Sequence, residues 1–278
     1  MTATISIPKL KKSDIEQFKK KGFVTLKEII PAEEIKKIEI IYDQLFREKV
    51  GYAEGSFFDL AGNDDNASQY KMPQLLGPSR FSQELKESII FPILKEAAKQ
   101  LLEVENDDEV RLGDHAILKP AKNMTETPWH QDEAYWDDTK DHHALSFWIP
   151  LQETNYDNGT MCFIPLEPNQ QIIPHHTINN DPKIHGLEVD QCDKSKMVVC
   201  PLRIGDVTAH HNKTLHYTPA NITDKPRKAY IVVAQGPKTQ LPVRRNYYWN
   251  HTKQTARLER QKTLAATQDA NKPNTNVY

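Results

Sequence analysis

Two short stretches set more limits on this fold than the rest of the chain: Trp129-His130-Gln131-Asp132, and, far downstream, a Gly205-Asp206 turn followed by Leu215-His216. Residues i and i+2 of an extended segment point to the same side, so His130 and Asp132 can chelate one ion if their segment is a strand. Pro128 favours that geometry by restricting Thr127 to β or polyproline conformations. A third ligand must then come from a strand folded back over the first, as in a closed antiparallel barrel or jelly roll. His216, on a short strand expected over 214–217, is the candidate, and His210 and His211 are its rivals. Two imidazoles and one carboxylate on one face of a metal leave coordination positions open, the ligand set of non-haem Fe(II) oxygenases. The plainer alternative is a polar strand pair and a surface histidine.

The surrounding pattern agrees with a jelly roll. Short strands are expected over 111–119, 128–132, 144–150, 160–164, 197–201, 206–209, 214–217 and 228–235, separated by Asn, Asp, Gly and Pro. The fold class read from this is mainly β with flanking helices, around a double-stranded β-helix (jelly-roll, cupin-like) core over 106–240. The part before it, 1–105, reads as helical. A helix over 13–21 has a Ser13/Glu16 capping box, and Pro31 opens a second that carries Ile35, Ile38, Ile41 and Leu45 to about Lys49. A loop follows over 51–72, then a helix over 82–103 broken near Pro92. The ligands must fold together, so a single domain is expected over 1–265, with a disordered tail over 266–278. The polar segment 170–196 is long for a connection and reads as a lid or a mobile insertion. His142, His143, His175 and His176 read as loop residues.

Composition narrows the partners. A formal charge of -2 gives no electrostatic reason to invoke nucleic acid or an anionic membrane. No apolar run has the length of a membrane span or a secretory signal. Cys162, Cys192 and Cys200 have neither an even count nor zinc-like spacing, so no disulfide framework is expected. The expectation is a cytoplasmic protein with a small-molecule substrate. Its oligomeric state is not legible.

Arg227 stands eleven residues after His216 and opens the apolar run 227–234, where its planar fork can pair with a buried carboxylate. Pairing with Asp224 is the alternative. The order H-x-D, Trp148, Asn158-Gly159-Thr160-Met161, Gly-Asp, His and Arg resembles the phytanoyl-CoA dioxygenase family of Fe(II)- and 2-oxoglutarate-dependent oxygenases. The likeness runs from the Asp14–Phe23 helix to about Gln235. It implies that His130, Asp132 and His216 bind Fe(II), that Arg227 binds the distal carboxylate of 2-oxoglutarate, and that Trp148 lines the cosubstrate pocket. His115 lies where some relatives contact the cosubstrate, and Lys71 lies near a lysine that some use for its proximal carboxylate. The Pro165-Leu166-Glu167-Pro168 loop departs from the family's usual Pro-Gly-Ser-His.

The resemblance implies consumption of O2 and 2-oxoglutarate, release of succinate and CO2, and oxidation of a substrate C–H bond. Halogenases on this scaffold replace the carboxylate ligand with a small residue, so Asp132 implies hydroxylation; desaturation, cyclisation and epimerisation remain open. A zinc-type hydrolase or isomerase is the rival from another class, but it has no need of Arg227 at that spacing. Few basic residues near the site argue against coenzyme A and for a small metabolite. Glu133, Tyr135 and Trp136 line the mouth or form an exposed loop. Arg244, Arg245 and Tyr247 form a solvated basic turn or reach over the pocket.

Overall fold

The computed structural model describes residues 9–64 and 69–270. In chain order the elements are α1 (Lys12–Lys21), β1 (Phe23–Leu26), α2 (Ala32–Glu48), β2 (Phe57–Asp59), β3 (Pro73–Leu76), α3 (Gln83–Lys86), α4 (Ile90–Leu102), β4 (Arg111–Lys119) and β5 (Thr127–His130). They continue with β6 (Lys140–Pro150), β7 (Met161–Phe163), β8 (His176–Thr177), β9 (Leu187–Glu188), β10 (Val198–Cys200), β11 (Val207–His211), β12 (His216–Thr218), β13 (Arg227–Gln240) and α5 (Ala256–Ala270). A seven-stranded sheet has the order β1-β11-β6-β13-β4-β3-β2, and a four-stranded sheet the order β10-β7-β12-β5. These antiparallel sheets form the jelly-roll core expected from the strand pattern.

The period of two along a strand explains how the larger sheet is buried on both faces. Leu145, Phe147 and Ile149 of β6 and Tyr230, Val232 and Ala234 of β13 belong to the core shared with the helices, alongside Ile35, Leu94 and Leu101. The alternate residues Trp148, Ala229 and Ile231 belong to a second cluster with Met161 and Phe163 of the smaller sheet. Register aligns Trp148 with Ile231 and Ile231 with His115, placing all three side by side on the inner face.

Two glycines permit the turns that bring these strands close. Gly159 has φ +90, and a Cβ there would lie 2.8 Å from the Pro219 carbonyl and 3.6 Å from Arg227 Nε. Gly205 has φ +92 and a Cβ there would meet the Ile30 carbonyl at 2.7 Å. The next residue, Asp206, accepts the backbone N–H groups of Glu28 and Arg203, tying the Gly-Asp turn to the end of β1.

Several local expectations are corrected. α1 starts at Lys12 without a side-chain cap, and Glu16 faces Lys12 at 3.8 Å instead of forming a capping box with Ser13. The 51–72 segment contains β2. The 82–103 helix is two helices, parted at 87–89; Pro92 lies within the first turn of α4, where a missing N–H costs no intrahelical bond. His142 and His143 lie on β6, which is longer than expected. α5 runs to Ala270, so 266–270 are helical; 271–278 lie outside the described residues. No helix among the described residues is long and apolar enough to cross a membrane, and the three cysteines are free.

Candidate metal centre and its cavity

β5 and β12 are neighbours, and their register sets His216 opposite His130, with ring centroids 4.1 Å apart. Asp132 does not lie on the strand, as the sequence suggests. The chain stays extended through Gln131 (φ -122, ψ 135) and then enters a 3-10 turn over Asp132–Tyr135. The extended Gln131 preserves the same-side relation across the strand end. One ligand atom from each of His130, Asp132 and His216 lies within 4.8 Å of the others.

The protonation pattern suits metal binding. His130 Nδ1 lies 2.8 Å from the Pro128 carbonyl and His216 Nδ1 3.0 Å from the Thr214 carbonyl. A carbonyl only accepts, so each Nδ1 carries the proton and each Nε2 keeps its lone pair for a metal. Burial, with His216 adding repulsion, draws the His130 imidazole down to about 3. Burial raises the Asp132 carboxyl, but His216 and then His210 outweigh it and hold it well below the usual range. Neutral imidazole and ionised carboxylate are the ligand forms.

His210 supports the carboxylate. Its Nε2 lies 3.1 Å from Asp132 Oδ2, which also accepts a 2.6 Å hydrogen bond from Ser146 Oγ. Oδ1 faces His216 Nε2 at 3.4 Å. His211, the other rival, accepts the Lys213 N–H at 3.2 Å and does not line the cavity. The fully buried Gln131 anchors the ligand segment by bonding the Gln171 and Lys213 carbonyls and the Ile173 N–H. Its own N–H donates to His175 Nε2 at 3.1 Å. His175 lies on a loop, as expected, but is buried in the support of the site, and His176 is on β8. The 170–196 insertion is docked on the ligand segment: Val189 N–H donates to the Trp129 carbonyl, and Leu187 N–H to the Tyr135 hydroxyl.

A cavity of about 460 Å³ opens over the three ligands, within the range of small-molecule sites. Arg227, Trp148 and His115 line it, all from the larger sheet. Arg227 is 2% exposed, lies 5.4 Å over the Trp148 ring, and donates only a long 3.5 Å bond to the Ile117 carbonyl. Its Nε has no partner, and Asp224 is engaged by Lys122. Burial draws the guanidinium down to about 10, leaving it charged at neutral pH. A buried cation with no acid against it among the described residues fits an anionic ligand. Burial lowers the His115 imidazole, so it presents a neutral ring.

Lys71 is a correction. Its side chain is exposed and outside the cavity lining, because its backbone is held between Asp59 and Asn123 on the outer loop. Tyr135 and Trp136 line the cavity, whereas Glu133 is buried beside Asn212 and Arg245. Arg244 grips Asp138 at 2.8 and 2.7 Å while staying half exposed, as a solvated turn implies, and Arg245 is drawn in to pair with Glu133 and Asp141; neither lines the cavity. Sequence reasoning missed Ser146, Gln131, the supporting role of His210, and a wall supplied by Asn250, Lys253 and Arg257. Only Ser146 had a local signal: it is two residues from Trp148 and shares its face.

The family model described as phytanoyl-CoA dioxygenase (PhyH) matches residues 18–229. The crystal structure of EvdO2 from Micromonospora carbonacea var. aurantiaca, complexed with 2-oxoglutarate, is similar at TM-score 0.76 and 30% identity, over 88% of this chain and 98% of that one. SnoK, a non-heme alpha-ketoglutarate-dependent carbocyclase from nogalamycin biosynthesis, shares the fold at TM-score 0.65 and 19% identity, over 87% and 90%. A curated relative from Stutzerimonas stutzeri, described as a probable alpha-ketoglutarate-dependent hypophosphite dioxygenase, is 25% identical over 131 residues, 45% of each chain. That match spans less than half of the curated relative. The family match, together with the jelly roll and a His-Asp-His set suited to Fe(II), establishes that the chain belongs to the phytanoyl-CoA dioxygenase family.

Proposed function

We propose that the protein is an Fe(II)- and 2-oxoglutarate-dependent dioxygenase that hydroxylates a C–H bond of a small metabolite. The observation that carries this reading is the buried Arg227, with no acid against it, in the same cavity as three converging ligand atoms. His130 and His216 would hold the iron through Nε2 and Asp132 through its carboxylate. Arg227 would take the distal carboxylate of 2-oxoglutarate as a charge-assisted pair. Bound there, iron and 2-oxoglutarate supply the oxidising chemistry, with O2 as the second cosubstrate and succinate and CO2 as products.

The chain contributes position and dryness. Ser146 and His210 fix the Asp132 carboxylate, while Trp148 packs under the Arg227 guanidinium. Ile231, Val233 and Leu76 give the cavity apolar walls that exclude water. His115 is positioned as a neutral contact for the cosubstrate. A carboxylate in the ligand set favours hydroxylation over halide transfer.

The test is an anaerobic titration of the metal-free protein with Fe(II) and then 2-oxoglutarate, followed in the visible. A weak charge-transfer band that needs both additions, and is lost in Arg227→Ala, is the expected result. No band, with tight Zn(II) binding instead, would overturn the oxygenase reading in favour of a hydrolase or isomerase.

A further inference from the structure

The cavity has a second cationic region that the metal and cosubstrate chemistry leaves unused. Lys253, three residues before α5, and Arg257, in its first turn, both line it. Lys253 Nζ sits 4.8 Å from the Tyr135 ring centroid, and Tyr135 in turn lies edge-on to the His130 ring, with centroids 6.1 Å apart. A single aromatic ring thus separates Lys253 from a metal ligand. Arg257 lies 4.8 Å from the Phe58 ring centroid and spends its Nε on the Gly55 carbonyl at 2.6 Å. The aromatic faces hold both cations in place without neutralising them.

No ion pair involves either residue among the described residues. The nearby acid, Asp64, pairs with Arg260 at 2.5 Å, and Arg260 does not line the cavity. Among the described residues the charged and titratable groups acting on Lys253 are Arg257, Tyr135, His175 and His185, none of them a carboxylate. Among the described residues Asp132 is the single carboxylate in the lining. At the metal the charges close: the two of a ferrous ion and the one of Arg227 are matched by Asp132 and the two carboxylates of 2-oxoglutarate. Among the described residues neither Lys253 nor Arg257 has an ion-pair partner; the carboxylate that acts on Arg257, Asp64, is already bound by Arg260, and two cations in a largely apolar cavity are costly without an anion.

We propose that Lys253 and Arg257 are the specificity element of this site, selecting a small-molecule substrate that carries a carboxylate or phosphate group. They grip that group so that the rest of the molecule extends past Tyr135 toward the metal ligands. The inference rests on the cavity being the substrate cavity of the proposed oxygenase, and it reverses the expectation of few basic groups near the site. Burial, with Arg257 adding repulsion, draws the Lys253 ammonium down to about 7. An anion bound against it restores the proton, so binding near neutral pH takes up protons.

The test is calorimetric titration of the full-length protein with inorganic phosphate and with butyrate. It is run once metal-free and once after anaerobic loading with Fe(II) and 2-oxoglutarate, with the visible band recorded separately. At least one probe is expected to bind the loaded protein, with a heat that varies with the buffer's ionisation enthalpy near pH 7. Its dissociation constant should rise about tenfold or more in Lys253→Gln and in Arg257→Gln, the scale of one lost charged contact. The visible band should be unchanged in both variants. Lys253→Arg should restore binding without proton uptake, which a purely structural role would not do. The stronger of the two probes identifies the substrate's anionic group. Failure of both probes to bind, equal affinity in wild type and both variants, or a loss confined to Arg227→Gln would overturn the proposal. A missing visible band with the Lys253 and Arg257 effects intact would sink the oxygenase reading and leave the anion site standing.

Discussion

The four-stranded sheet carries His130 and His216 opposite each other on β5 and β12, while the seven-stranded sheet supplies Ser146, Trp148, His210, His115 and Arg227. The two are supported differently. Helices α1, α2 and α4 contribute to the core on the outer face of the larger sheet, so its inward side chains are placed by close packing. The smaller sheet leaves Val198 and Val199 exposed at 36% and 37%, and its ligands are aimed by hydrogen bonds to backbone carbonyls and by the docked 170–196 insertion. Metal affinity should therefore answer to hydrogen-bonding changes around the smaller sheet. Cosubstrate affinity should answer to changes in the larger one.

The largest effect to break this division is Asp132→Ala. Loss of a ligand should cost more than the roughly 10- to 100-fold typical of outer partners in Fe(II) affinity, and abolish turnover, while the melting temperature stays near wild type because no apolar core is opened. Unchanged activity would remove Asp132 from the metal. Next is Arg227→Ala, which should weaken 2-oxoglutarate binding by about 2–5 kcal/mol, with Fe(II) affinity measured without cosubstrate unchanged. Equal iron loss in Arg227→Ala and Asp132→Ala would erase the distinction between the sheets. Ser146→Ala sharpens it: the residue sits on the larger sheet but bonds Asp132, so it should lower Fe(II) affinity about tenfold and leave 2-oxoglutarate affinity at saturating iron intact.

A smaller effect comes from the insertion. Burial draws His175 down to about 4 from an ordinary 6.5. The unfolded chain then binds its proton more readily, so this contribution to stability is complete above about pH 6.5 and is lost as pH falls toward 4. The loss is at most about 1.4 kcal/mol per pH unit. Melting temperatures across that window should fall less steeply in His175→Gln; equal slopes would mean His175 is not buried as a neutral acceptor. The smallest effect is expected of His211→Ala, which should retain full metal affinity. Metal loss there would transfer a ligand role away from His216.

Much of the site was legible locally. The 111–119 strand could be read from the local pattern, whereas the inward position of Trp148 came from the family resemblance, because β6 is buried on both faces. The His–Arg spacing singled out Arg227, which the fold brings into the cavity lining. Other features depended on distant packing. Ser13 and Glu16 matched a capping pattern that α1 does not use. Arg245 looked solvated because its acids, Glu133 and Asp141, are far away in sequence. Lys253 and Arg257 carried no signal in the sequence, because nothing adjacent to them marks a cavity.

The sequence by itself determined the ligand types, the strand faces and the presence of an arginine suited to a buried carboxylate, because these follow from residue chemistry and a two-residue period. Tertiary structure decided that it is His216 whose ligand atom converges with those of His130 and Asp132, that His210 instead bonds the Asp132 carboxylate, and that the C-terminal segment adds two cations to the cavity wall. Those outcomes turn on which side chains meet across a fold, and a choice between neighbouring histidines is made by strand register and by ångström-scale distances that no local pattern encodes.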